Sequence, residues 1–96
     1  MSLPDATIDL NLPSDHSDHL VEGESILLNV NAFRPLDNVH IRLGTARMDS
    51  LPKIRSNTTH SQAFEVPDYI GTNTIGLFDE NGLSVSNKLE IVIAPK

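Results

Sequence analysis

The strongest strand signal in the chain is the stretch Ser25-Ile26-Leu27-Leu28-Asn29-Val30-Asn31-Ala32. Apolar side chains occupy every second position of it, which is typical of a β-strand with one buried and one solvated face. The residues predicted to point inward are Ile26, Leu28, Val30 and Ala32. Leu27 is the one apolar residue out of phase. The stretch therefore predicts an all-β core rather than a helical one.

The same alternation recurs on both sides of this stretch. Further strands are predicted at residues 7–12, 39–43, 62–66, 72–78 and 83–93. Pro13, Gly44 and Pro67 end three of them, because proline cannot donate to a ladder and glycine tolerates turn conformations. Asn81-Gly82 predicts a hairpin before the last strand, since both residues tolerate positive φ at low cost.

Residues 45–60 give the least regular pattern. Met48, Leu51 and Ile54 recur at a spacing of three, which could form a helical turn, but Pro52 lies between them. We expect an irregular crossing with one short edge strand near residues 53–56.

These segments amount to about seven short strands, with no segment that could form a stable helix. That pattern is typical of an antiparallel β-sandwich, and parallel crossovers are excluded because no helical patterns separate the strands. Residues 7–94 are predicted to form a single domain. Residues 1–6 are expected to be a disordered or cloning-derived leader, and the whole chain is expected to be a domain excised from a longer protein.

Composition limits the function classes. The chain has 96 residues and a formal net charge of −6, so electrostatic attraction to nucleic acid or to an anionic membrane is disfavoured. No apolar run is long enough to insert into a membrane as a helix. With no cysteine, the chain forms neither a disulfide nor a thiolate metal site.

Charge is unevenly spread along the chain. Residues 1–24 hold six carboxylates and no Lys or Arg, whereas five basic residues lie between positions 34 and 55. Two solvated surfaces are the favoured interpretation. Complementary patches within the domain, or between neighbours in a string of domains, are the alternative.

A resemblance to a known family is carried by two segments. The first is Val21-Glu22-Gly23-Glu24-Ser25-Ile26-Leu27-Leu28-Asn29-Val30, and the second runs from Val66 through Gly71-Thr72 and Asp79-Glu80-Asn81-Gly82 to Leu89-Glu90-Ile91-Val92-Ile93. Together they resemble bacterial immunoglobulin-like (Big or cadherin-like) β-sandwich domains. Such domains often carry a tyrosine soon after the entering glycine, where this chain has Asn73, and the Cys pair and Trp of antibody domains are missing.

The resemblance implies an immunoglobulin-like sandwich that spaces, supports or presents something in a longer surface or secreted protein. It implies an extracellular or periplasmic location, and as partners it implies other domains of the same polypeptide or a separate protein. It carries over no catalytic residue and no cofactor-binding residue.

Asp15-His16-Ser17-Asp18-His19 is the densest group of candidate metal ligands. Two imidazoles and two carboxylates could supply part of a Zn²⁺ or Ni²⁺ site. The spacing matches no established closed site, so an ordinary solvated loop is the favoured interpretation.

Asp79 is the other candidate metal ligand, because Asp79-Glu80-Asn81-Gly82 shares an acidic start and a glycine with calcium loops. A plain hairpin explains the same residues and is preferred. A variant in which Asp79 joins carboxylates of the N-terminal third, or of a neighbouring domain, resembles cadherin-like interdomain calcium sites. Ca²⁺ is thus the one cofactor left open.

Enzyme chemistry is not indicated. The sequence has no G-x-S-x-G elbow, glycine-rich phosphate loop or H-E-x-x-H motif. His40 alternates with Val39 and Ile41, so it is expected on the solvated face of its strand, and His60 is expected in a surface loop.

The sequence therefore predicts a non-catalytic spacer or protein-interaction scaffold from a larger exported bacterial protein. Two alternatives stay open. One is a metal-tuned adhesion or binding domain that uses Asp79 with the acidic loop, and the other is an accessory domain of a hydrolase.

Overall fold

The computed structural model describes residues 4–16 and 18–96, and within them it contains eight β-strands and no helix. The prediction of an all-β protein is confirmed. The strands are β1 (Ala6–Asn11), β2 (Leu20–Val21), β3 (Ser25–Ala32), β4 (His40–Leu43), β5 (Ala46–Ser50), β6 (Thr58–Glu65), β7 (Gly71–Phe78) and β8 (Leu89–Ala94). In this part of the chain, nothing has the helical length and apolarity needed to cross a membrane.

The strands form two sheets. One has three strands in the order β1-β3-β6, and the other has five in the order β2-β8-β7-β4-β5. All ladders are antiparallel except β2 with β8, where Leu20 lies opposite Ile93 in parallel register. The expectation of about seven strands, all antiparallel, thus needs two corrections: an extra strand and one short parallel pair.

One aliphatic core lies between the sheets. In β3 the alternation predicted from the sequence is confirmed, because Leu28 and Val30 are fully buried while Leu27 is 36% exposed. Phe64 is the single aromatic residue of the core. Ala6 is fully buried and begins β1, so the predicted disordered leader is wrong for its last residue. Residues 1–3 of that leader lie outside the described part.

The segment after β4 differs from the prediction. Residues 46–50 form β5, which the sequence did not indicate, and the edge strand expected near residues 53–56 is wrong. Only Ile54 pairs there, in an isolated bridge with Leu36. β8 is also shorter than expected, since it starts at Leu89, and Ser84 forms only an isolated bridge with Phe78.

The outer face of the three-stranded sheet is covered by a side-chain hydrogen-bond ladder. The Asn29 amide donates to Asp9 at 2.8 Å and to Asn11 at 3.0 Å, and its carbonyl accepts from the Ser61 hydroxyl at 2.8 Å. One step along, Thr59 donates to Asn31 at 3.0 Å. The polar groups of this face are therefore largely satisfied by one another.

The two ends of the described chain lie at opposite ends of the molecule, which measures 37 × 26 × 26 Å. At one end, called here the amino end, Ala6 bridges Ser86 and pairs with Ala32. At the other, the carboxyl end, Glu22 donates its N–H to Ala94 and Gly23 donates to Val66.

Candidate functional site

The predicted metal loop is held by His16. Its Nε2 lies 2.7 Å from Glu24 Oε2, and its Nδ1 lies 2.9 Å from Asp15 Oδ1. Glu24 Oε1 also accepts the backbone N–H of Val21 at 2.9 Å. Through Glu24, the imidazole therefore ties the loop to the β2–β3 turn at the carboxyl end.

The charged groups of this loop shift one another's pKa values. The hydrogen bond to Glu24 raises the pKa of His16, and the same bond lowers the pKa of Glu24. His19 Nδ1 lies 2.8 Å from Asp18 Oδ1, and this hydrogen bond lowers the pKa of Asp18. The arrangement favours an imidazolium between carboxylates over a neutral imidazole that could bind a metal.

The structure brings four of the five candidate metal ligands into one loop. The His16 and His19 rings have centroids 5.1 Å apart, but each pairs with its own carboxylate. Residues 4–16 and 18–96 hold no group of three or more His, Asp or Glu side chains arranged to bind a metal ion. The solvated loop stays the favoured interpretation, and metal binding here stays the untested alternative.

Asp79, the fifth candidate ligand, organises the hairpin after β7. Its Oδ1 accepts the backbone N–H groups of Asn81 and Leu83, both at 2.9 Å. Within this turn, Gly82 has a positive φ of 81° and Asn81 does not. Asp79 lies at the amino end, about 25 Å from the His16 loop, as estimated from the length of β7 at ~3.3 Å per residue.

A different cluster lies on the outer face of the five-stranded sheet. Arg47 of β5 pairs with Arg42 of β4, and Arg42 pairs with Gly76 of β7. Lys88 precedes β8 and lies beyond Gly76, where a Cβ on the glycine would come 3.3 Å from the lysine Cγ. Arg47, Arg42 and Lys88 thus succeed one another across β5, β4, β7 and the segment before β8, and are called here the cation row.

Phe78 is the aromatic centre of this face. The Arg42 guanidinium carbon lies 4.3 Å from the centre of its ring, and Lys88 Nζ lies 5.5 Å away. Both distances fall in the range of cation–π attraction. Because residue 76 is glycine, the ring and the lysine stem can approach the sheet closely.

His40 lies beside Phe78 on the outer face of β4, as its alternation with Ile41 predicts, but it is only 2% exposed, so the expected exposure to solvent is wrong. The two rings stack with centroids 6.4 Å apart. Neither imidazole nitrogen has a hydrogen-bond partner among the described residues. Burial lowers the pKa of His40, and the nearby Arg47 and Arg42 lower it further.

His60 also departs from the prediction, because it lies within β6 and is half-buried. Its Nε2 is 3.2 Å from Gln62 Oε1. The cation row and His40 were missed by sequence analysis because their residues come from four separate segments. The sequence did contain one indication of the cluster. His40 and Arg42 are two residues apart on one strand, as are Gly76 and Phe78 on another, so each pair is expected to share a face.

Comparison with known proteins found no matching family model, no similar curated protein and no similar solved structure.

Proposed function

We propose that the chain is a non-catalytic, immunoglobulin-like β-sandwich module of a larger exported bacterial protein, where it acts as a spacer and as a scaffold for protein contacts. The observation that carries the spacer role is that the chain enters and leaves at opposite ends of the strands.

The strand order supports the immunoglobulin-like part of the proposal. Such sandwiches pack a sheet containing strands A, B and E against one containing C, F and G. Here β1, β3 and β6 correspond to A, B and E, while β4, β7 and β8 correspond to C, F and G. β5 takes the place of the additional strand that variable-type domains place beside C.

Asn73 supports the same assignment. In many immunoglobulin-like domains a tyrosine near the start of strand F donates its hydroxyl to the backbone a few residues upstream. In this chain the Asn73 amide occupies the start of β7 and donates to the Tyr69 carbonyl at 2.8 Å. A shorter amide side chain thus makes the contact that a tyrosine corner would make.

The spacer role follows from the path of the chain. It enters at the amino end, beside Ala6, and leaves at the carboxyl end, beside Ala94. Copies or other domains joined through these points would extend along one line. The polar clusters at His16 and Asp79 hold a loop and a turn in place, and this structural role accounts for them without catalysis.

A fusion of two copies joined in tandem through a short linker tests the spacer role. Small-angle X-ray scattering should give a maximum dimension roughly twice that of the single chain, whose long axis is 37 Å. A fusion that folds back to nearly the size of one copy would contradict it. Export is tested separately by the parent open reading frame, which should encode an export signal.

A further inference from the structure

The cation row has an electrostatic cost. Arg42 and Arg47 lie directly opposite each other on neighbouring strands, and like charges in such pairs repel. In the described part of the chain, no carboxylate lies within ion-pair distance of Arg42, Arg47 or Lys88. Three unpaired cations thus share one face of a protein whose formal net charge is −6.

His40 adds a second, independent cost at the same face. Both nitrogens of its ring are buried with no hydrogen-bond partner in the described ranges 4–16 and 18–96, and most buried polar side chains in proteins have one. The ring stacks on Phe78, which belongs to the same face. This face therefore carries two unfavourable features, the repulsion between its cations and the unsatisfied imidazole of His40.

The dimensions of the row suit an extended peptide. Neighbouring strands are ~4.8 Å apart, so the three strands that carry Arg47, Arg42 and Gly76, together with the segment of Lys88 beyond them, span about 14 Å. In an extended chain, side chains two residues apart point the same way and are ~6.7 Å apart. Three carboxylates at alternate positions would therefore span nearly the same length.

We propose that the cation row and Phe78 form a docking surface for an extended segment of a partner protein that carries carboxylates at alternate positions. The carboxylates pair with Arg47, Arg42 and Lys88, and the Phe78 ring holds the last two of these cations in place. Charge complementarity carries the choice of partner, because Arg47, Arg42 and Lys88 lie together on this face with no carboxylate within ion-pair distance among the described residues. This inference rests on the scaffold part of the proposed function and specifies that the protein partner is acidic and extended.

The probe is a seven-residue peptide, blocked at both ends, with glutamate at its second, fourth and sixth positions and serine elsewhere. Titration into ¹⁵N-labelled chain should shift the amide signals of Arg42, Gly76, Phe78 and Lys88. The double variant Arg42→Gln/Lys88→Gln should weaken binding by about fivefold or more, since two exposed ion pairs are lost. Added salt should weaken binding to the unaltered chain.

A matched control changes the same charge elsewhere. Lys53→Gln/Arg55→Gln removes two exposed cations from the segment between β5 and β6 and should leave the affinity unchanged. Both double variants should melt within a few degrees of the unaltered chain, which separates lost binding from lost folding.

Several results would overturn the proposal. These are the absence of shifts at millimolar peptide, shifts centred on Lys53 and Arg55, or equal affinity of Arg42→Gln/Lys88→Gln and the unaltered chain. Inorganic phosphate that displaces the peptide at equal concentration would indicate a general anion site instead. Concentration-dependent mass in light scattering, abolished by Arg42→Gln/Lys88→Gln, would make a second copy the occupant. None of these results alters the scattering test of the spacer role.

Discussion

At position 40 a buried imidazole ring stacks on Phe78, and neither of its nitrogens has a hydrogen-bond partner among the residues that the structure describes. An unsatisfied buried polar group typically costs about 1–3 kcal/mol. We expect His40→Leu, which keeps a similar volume, to raise the free energy of unfolding by about 1 kcal/mol. Urea denaturation at pH 7.5 measures this, with His60→Leu at the half-buried, hydrogen-bonded site as control.

The sign of the pH dependence at His40 follows from its lowered pKa. Because folding lowers the pKa of His40, the folded protein loses stability as the pH falls from the ordinary histidine pKa of 6.5 through the folded-state pKa. The advantage of His40→Leu should therefore grow on acidification. A variant less stable than the unaltered chain at pH 7.5 would mean that the imidazole has a stabilising partner, such as a buried water.

His16 should show the opposite pH dependence. Its pKa is raised, so its contribution is fully present below 6.5 and is lost as the pH rises through the folded-state value. Glu24 has a lowered pKa, so its contribution to stability is present above pH 4.5 and is lost as the pH falls through the folded-state pKa. The melting difference between the unaltered chain and His16→Gln should thus peak between pH 4.5 and pH 6.5 and shrink as the pH rises through the folded-state pKa of His16.

Thermal melts at several pH values measure this difference, and His60→Gln is the matched control because no carboxylate bonds to that ring. A difference that stays constant from pH 5 to pH 9 would show that the His16–Glu24 contact contributes through packing rather than charge.

Among the elements, β3 tests the burial pattern most directly. Leu28 is fully buried and Leu27, its neighbour, is 36% exposed, so the two side chains lie on opposite faces. Leu28→Asp places an unpaired carboxylate in the core and should destabilise the domain by several kcal/mol, enough to unfold it, because stabilities are only ~5–15 kcal/mol. Leu27→Asp should change stability by less than about 1 kcal/mol.

Circular dichroism and urea denaturation of both variants make the comparison. Equal loss in Leu27→Asp and Leu28→Asp would refute the assigned faces of β3.

How far an element could be predicted depended on how much of its pattern is local. β3 was predicted with its observed bounds because one face is apolar along its whole length. β5 was missed because Met48 is its one large apolar residue and was grouped with Leu51 and Ile54 at a spacing of three, and because the register of this edge strand slips between the partners of His40 and Arg42. β2 is only two residues long and is fixed by pairing with distant β8.

The candidate site was harder to predict than the fold for the same reason. Asp15, His16, Asp18 and His19 are neighbours in sequence and therefore stood out, but Glu24, which organises the loop, is brought to His16 by the β2–β3 turn. The burial of His40 depends on Phe78, which lies opposite it on another strand.

For the whole molecule, the separation of Asp79 from the acidic loop leads to a prediction about metals. Within one copy these ligands lie at opposite ends, so they cannot share one ion. We expect the melting midpoint to be unchanged by millimolar Ca²⁺, by micromolar Zn²⁺ or by a chelator, since only a ligand that binds the folded state raises it. Asp79→Asn and His16→Gln serve as comparisons. A midpoint raised by Ca²⁺ and insensitive to His16→Gln would instead place a cation at Asp79.

The parallel pairing of β2 with β8 has a mechanical consequence. The chain enters at the amino end, passes through β1 to β2, and leaves directly from β8 at the carboxyl end. A pull on the two termini therefore drags β2 and β8 in opposite directions along their common axis. Their hydrogen bonds are then loaded in shear together rather than peeled apart singly, but the pull reaches them only after it has loaded the six-residue ladder between β1 and β3. We expect the rupture rates of these two contacts to set the lifetime of the folded chain under tension.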